Sequence, residues 1–439
     1  MSTTVKEEPL LRLRGFRNLF VAGAVSQLGS QISYVALPLL AVTALGAGAG
    51  EVGLLSALGT LTVLLLGLPA GAWVDRVRRR PLMIATDLLR AAVLLSVPLA
   101  WWAGQLSMGH LYVVAVLTGA GTLLFDVAAY SIVPALVGRE RLTPANTLLV
   151  GTGAGMDVAG RSAAGVLVQV AGAPVAILLD ALSYVWSAAW LRTVPEPGWA
   201  RRGSADDPME RQEPMGPQEP MGRQEPAERQ EPAERREPMG RQIAEGVRFL
   251  FGNPILVTAL LQGTMANLAF PLCSVLLPVV LVQQLGHPEW VVGAYLATGG
   301  LGVLAGSAGA NAVGRRLGTG RAAWLASVVT TPAALVVPLL TWGGPWVWAS
   351  AAAWFVLTFR TGLNNVLLVS LRQRVTPDAM LGRMTATMRL LLTGALGAGG
   401  LLAAGVGELW GAGAAMALGA AVMALSWLPY VRSPLRHEP

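Results

Sequence analysis

Six ionisable side chains interrupt stretches of otherwise apolar sequence: Asp126, Asp157, Arg161, Asp180, Arg360 and Arg389. Each such group costs about 2.5–3.5 kcal/mol at mid-membrane depth on insertion scales, so a chain that keeps it has a use for it. Acids and guanidiniums at that depth can carry a proton, pair with one another or anchor a charged ligand group. Asp157 and Arg161 stand four apart, the spacing that lets a helix pair them on one face. Asp87 and Arg90 lie nearer the end of their span. Gln27, Gln31, Asn267, Asn364 and Asn365 add polar anchors, and Tyr34, Phe125, Tyr130, Phe270 and Phe355 add aromatic surface. A mostly apolar pocket with few polar anchors suits an amphipathic organic molecule. Covalent and metal chemistry has little to work with. One cysteine, Cys273, and three scattered histidines, His110, His287 and His437, provide neither a disulfide nor a ligand cluster, so no cofactor or metal is expected. Neither H-E-x-x-H nor G-x-x-x-x-G-K-[ST] occurs, which argues against a polytopic membrane enzyme and an ATP-driven pump.

The elements that must position these groups are membrane spans. Of 439 residues, 54% are hydrophobic and 13% charged, about half the charge of a soluble domain. Mean hydropathy is +0.55. Runs long enough to cross a bilayer fall near 16–45, 51–74, 81–103, 108–137, 143–172 and 174–194, then near 254–284, 290–313, 321–342, 346–374, 379–407 and 409–431. The connections at 46–50, 104–107, 173, 285–289, 343–345 and 408 contain no Lys or Arg. Those on the other side carry Arg76, Arg78, Arg79 and Arg80, Arg139 and Arg141, Arg315, Arg316 and Arg321, and Arg372 and Arg374. The positive-inside rule then predicts twelve spans with both termini cytoplasmic, in the plasma membrane. Trp101, Trp102, Trp290, Trp342, Trp346 and Trp410 fall at the expected outer ends, at headgroup depth. The net charge of +7 is spread over short loops in this pattern, so nucleic acid is not an expected partner. The first apolar run reads as a retained span rather than a cleaved leader.

Residues 195–242 differ in kind. Glu-Pro recurs at Glu213, Glu219, Glu225, Glu231 and Glu237, a six-residue period with Pro in every unit, which cannot build a packed face. The expected organisation is a six-helix half at 1–194, a disordered cytoplasmic linker at 195–242 and a second half at 243–439. The halves echo each other: Leu-Thr-Pro-Ala at 142–145 and Val-Thr-Pro-Asp at 375–378 both open a fifth span. Internal duplication in a polytopic chain points to a transporter whose halves rock about a midplane site.

The segment GAWVDRVRRRPLM, from Gly71 to Met83, resembles the loop signature of the major facilitator superfamily, G-x-x-x-D-[RK]-x-G-R-[RK]. Gly71, Asp75, Arg76, Arg79 and Arg80 fall on its positions, and Arg78 replaces its usual glycine. A small residue there admits a close helix contact, and the acid can pair with Arg or a helix terminus. Phe125-Asp126 with Pro134, ERLTPANTL, Leu179 to Tyr184, and TPDAMLGRMTATMRL with Asp378, Gly382 and Arg383 look like the branch holding macrolide-type and enterobactin-type exporters. The fifth span departs from the family's antiporter pattern: Gly151, Gly153, Gly155, Gly160 and Gly165 keep its small residues, but Arg161 follows Gly160 where that pattern has proline.

The resemblance implies an all-α protein of two pseudo-symmetric six-helix bundles, with spans one, four, seven and ten around a central cavity. The Thr-Pro anchors place Asp126 within one residue of Arg360 in the half-to-half register, so an acid and a base are expected to face the cavity from opposite halves. Burial favours a neutral acid and a guanidinium favours a carboxylate, so protonation would follow which side is open. The expected function is proton-coupled export of an amphipathic small molecule (an efflux antiporter of the multidrug-resistance kind) by a lipid-embedded monomer. The expected proton and substrate pathway is Asp126, Arg360, Asp157, Arg161, Gln27, Gln31, Asn267 and Asn364, with Gly71 to Arg80 as gate. Uptake on the same architecture is the alternative, and a non-transporting sensor a remoter one.

Overall fold

A computed structural model describes residues 9–74, 76–195, 239–431 and 433–434. Among these, helices are the only regular structure. The first half consists of α1 (Arg14–Leu45), α2 (Ala49–Val74), α3 (Arg79–Trp102), α4 (Met108–Val137), α5 (Leu142–Ala171) and α6 (Ala173–Leu191). The short amphipathic α7 (Met239–Gly252) precedes the second half. That half consists of α8 (Pro254–Ser274), α9 (Trp290–Leu317), α10 (Thr319–Thr330), α11 (Pro345–Val375), α12 (Asp378–Trp410) and α13 (Ala412–Ala424). Residues 196–238 and Asp75 lie outside the described residues, and so do the side chain of Asp378 and the surroundings of Gly382. Within the expected linker, α7 already begins at Met239.

Three spans change helix type, each beside a proline, and the shortest of them, begun by α13, is completed by a turn and a 3-10 segment at Leu428–Tyr430 that contains Pro429. Pro332 and Pro338 lack the N–H that an α-helix needs, and α10 runs on as a 3-10 helix from Thr331 to Trp342. Past Pro271 and Pro278, α8 continues into a π-helical turn at Val279–Gln284. With these continuations the twelve expected spans are present. Among the described residues, eleven are long and apolar enough to cross a membrane by length and composition. The remaining one, α5, carries Asp157 and Arg161 yet packs between α1 and α9 like a full span.

Within the first half α1 packs on α5 and α6, and α3 on α4 and α6; within the second, α9 packs on α11, and α8 on α12 and α13. The halves meet where α2 crosses α12 and α5 crosses α9. Glycine sets the closeness of both crossings. A Cβ on Gly53 would stand 2.5 Å from the Ala404 nitrogen, and one on Gly165 2.4 Å from the Gly293 Cα. Gln283 adds a hydrogen bond from its Nε2 to the Gly46 carbonyl at 3.3 Å. All these contacts lie toward the ends that carry the arginine-free loops, so the halves are closed there.

Candidate functional site

Below the closed end lies a cavity of about 540 Å³ enclosed by α1, α3, α4 and α5. It extends to Leu19 and Leu149, within two turns of the arginine-rich ends of their helices. Gln27, Gln31, Asp126 and Asp157 all line it, and so do Phe20, Phe125 and Tyr130. Of the first-half members of the sequence-derived set, four line this cavity and Arg161 does not.

Asp157 and Arg161 do not pair with each other. The Gln27 Nε2 donates to Asp157 Oδ1 at 2.8 Å, and the Arg161 Nε donates to Gln31 Oε1 at 2.8 Å. Four-residue spacing on both α1 and α5 makes these two rungs of one ladder between the helices. Gly160 permits it, because a Cβ there would meet the Gln31 Cβ at 2.6 Å and the Leu28 carbonyl at 2.8 Å. The Arg161 guanidinium lies 5.0 Å from the centroid of the Tyr34 ring. Hydrogen bonds to neutral amides across a close helix pair replace the intrahelical ion pair that spacing alone suggests.

The guanidinium charge that reaches Asp126 is not that of Arg360. Arg90 of its own half and Arg389 of α12 are the guanidiniums that act on it electrostatically. Arg90 is also ion-paired to Asp87, and its guanidinium lies 4.1 Å from the Tyr184 ring centroid and 4.7 Å from that of Phe125. Arg360 lies elsewhere: it is buried between α11 and α13, with Nη2 3.0 Å from the Met423 sulfur. The half-to-half register gave the height of Arg360 along α11 but not the face it occupies. Asn267 is likewise turned inward, donating from Nδ2 to the Leu392 carbonyl at 3.0 Å. Asn364 is buried, and none of Arg360, Asn267 and Asn364 lines the cavity.

A second cavity of about 270 Å³ lies nearer the closed end and is enclosed by both halves. It shares Ser30 and Thr122 with the first. Tyr34, Asp180 and Tyr184 line it opposite Ser274, Val275 and Pro278. The Ser30 and Tyr184 hydroxyls are 2.7 Å apart. The Ser183 hydroxyl donates to Asp180 Oδ1 at 3.2 Å. Asp180 abuts α1 at Gly29, where a Cβ would come within 2.3 Å of Asp180 Oδ1.

At the arginine-rich end, Arg80 donates to the Arg192 carbonyl, tying the start of α3 to the end of α6. Arg76 is exposed, and Arg79 is half-buried. Among the described residues nothing lies within 4 Å of a Cβ on Gly71. In the second half Arg383 is ion-paired to Glu245 of α7, which fastens α7 to α12. No group of three or more His, Cys, Asp and Glu side chains able to hold a metal occurs among the described residues.

The family model for the Major Facilitator Superfamily matches residues 19–400. No curated protein matches the sequence. Among solved structures, a bacterial homologue of the iron transporter ferroportin in an inward-facing state is 18% identical, with a TM-score of 0.70 over 97% of this chain and 99% of that one. The nucleoside transporter NupG is 11% identical, with a TM-score of 0.65 over 95% and 99% of the two chains. A bacterial homologue of the human lysosomal transporter Spinster is 13% identical, with a TM-score of 0.64 over 98% and 97%. At such identities the likeness is one of fold.

Proposed function

The chain belongs to the Major Facilitator Superfamily and is a multi-pass membrane transporter, and we propose that it exports amphipathic small organic molecules by alternating access driven by the proton gradient. The observation that carries this reading is the 540 Å³ cavity, whose walls combine Phe20, Phe125 and Tyr130 with the carboxylates of Asp126 and Asp157. Its size and mixed lining suit a drug-sized molecule with an apolar body and a polar group. Asp126 is the proposed proton carrier, because it lines the cavity and one of the two guanidiniums whose charge reaches it, Arg389, belongs to the other half and moves relative to it as the halves rock. The Gln27–Asp157 and Gln31–Arg161 rungs hold α1 against α5 and shape the cavity wall. This assignment matches the sequence resemblance to the macrolide-type and enterobactin-type exporter branch.

In this reading residues 1–194 and 243–439 are the two moving halves, and 195–242 connects them on the cytoplasmic face of the plasma membrane. The Arg76 to Arg80 loop and the Asp378, Gly382 and Arg383 segment guard that face. Epitope tags before residue 10 or within 205–240 should resist external protease in intact cells, whereas tags beside Gly48 or Gly344 should be cut. Cleavage at 205–240 from outside would reverse the orientation.

Transport itself is tested in everted vesicles given an inward-acid pH gradient and a panel of lipophilic dyes of differing charge. Dye accumulation that collapses on addition of a proton ionophore supports export. Accumulation only in right-side-out vesicles establishes uptake instead, and accumulation indifferent to the ionophore removes the proton coupling.

A further inference from the structure

The first half shows what a buried guanidinium requires in this fold. Arg90 of α3 is 2% exposed and is ion-paired to Asp87, one turn earlier on the same helix. The corresponding interior of the second half, between α10 with its 3-10 continuation, α11 and α13, also encloses a guanidinium, and Arg360 is 1% exposed. No acid accompanies it. Between Pro254 and Val431 the only Asp and Glu residues are Glu289, Asp378 and Glu408, all at span ends.

The same interior holds unused hydrogen-bonding groups instead. Its Nε and Nη1 have no protein partner among the described residues. One turn along α11, both the nitrogen and the oxygen of the Asn364 amide are likewise without one. The hydroxyls of Thr331 and Ser426 are buried and unpartnered, and Tyr430, whose hydroxyl lies within reach of Ser327, acts on Arg360 electrostatically. Ser426 follows the Arg360 contact Met423 by one turn, and Tyr430 follows Ser426 by another. Thr331, Asn364 and Ser426 thus bring unused polar groups into the interior that encloses one buried cation. Buried polar groups in native proteins are satisfied, and a buried charge left without a counter-charge is strongly destabilising.

We infer that the interior between α10, α11 and α13 binds one small monovalent anion of chloride size. The Arg360 guanidinium supplies its charge partner, and the Asn364 amide and neighbouring hydroxyls supply hydrogen bonds. The anion does for Arg360 what the Asp87 carboxylate does for Arg90. A carboxylate can be carried permanently in the chain, whereas a bound halide makes the stability of the second half depend on the medium.

Thermal unfolding of the full-length protein in detergent tests this. Potassium chloride is compared with potassium gluconate at equal ionic strength, gluconate being too large for the site. Chloride and bromide should raise the unfolding midpoint by about 3 °C over gluconate, the size of a ligand-linked stabilisation in a protein of this class. Arg360→Gln should lose the difference. Because that variant also removes a large buried side chain, Asn364→Asp is the decisive one. Its carboxylate, one turn from Arg360, replaces the anion within the chain, so the midpoint should be as high in gluconate as in chloride. Equal midpoints for the unmodified protein in the two salts would overturn the inference, as would a chloride response that survives in Asn364→Asp.

Discussion

Asp126→Asn is expected to abolish pH-driven transport while leaving downhill exchange within about twofold. The substitution keeps the shape and hydrogen-bonding capacity of the side chain and removes only its ability to hold or release a proton. Coupling between two sites is typically about 1–3 kcal/mol, or about 5–150-fold, and that range should be lost from the accumulation ratio. The cavity keeps its other polar lining, Gln27, Gln31 and Asp157, so entry of substrate is not removed. Counterflow against preloaded substrate, measured beside accumulation under an imposed pH gradient, separates the two effects. Asp157→Asn is the control: Gln27 already donates to that side chain, and an amide oxygen can accept the same bond. Normal uphill pumping by Asp126→Asn would make Asp126 structural. A larger loss in Asp157→Asn than in Asp126→Asn would move the proton site to α5.

The twelve spans and the assembly of Gln27, Gln31, Asp126 and Asp157 in one cavity were legible in the sequence because they rest on long apolar runs, on arginine placement and on helical spacing. What was not legible depends on which way a side chain turns. Asp126 and Arg360 occupy matching positions in the duplicated halves, yet matching positions fix the height along a helix and not its facing. Arg360 consequently packs against Met423, and the cross-half charge that reaches Asp126 is that of Arg389. Similarly, Asp157 and Arg161 have ideal spacing for each other, but Gly160 brings α1 so near that two glutamines reach them first. Pair contacts within one helix can be read from spacing. Contacts between helices depend on where glycine lets backbones approach, and that is set by tertiary packing.

The same glycines give the other large effect. At the α5–α9 crossing, a Cβ on Gly165 would stand 2.4 Å from the Gly293 Cα and 2.7 Å from its nitrogen, and no rotamer change relieves a clash with backbone. Overpacking of this kind costs about 1–3 kcal/mol. In Gly165→Val that cost falls only on the state in which the two halves touch, so it shifts the conformational balance by about 5–150-fold toward opening of that end. Gly306 is the contrasting case. A Cβ there would stand 1.9 Å from the Phe359 carbonyl oxygen, but α9 and α11 belong to the same half and stay packed in every state. Gly306→Ala should therefore lower the unfolding midpoint and yield, whereas Gly165→Val should leave both nearly unchanged and impair transport. The discriminating measurement is labelling of a cysteine introduced at Ser56 or Thr118, which line the cavity beneath the closed end, with an impermeant maleimide. Cys273 is buried and should stay silent. Labelling from the side of the arginine-free loops should accelerate about tenfold or more in Gly165→Val, in line with the shifted balance. Unchanged labelling with unchanged transport would mean that the α5–α9 crossing is not what holds that end shut.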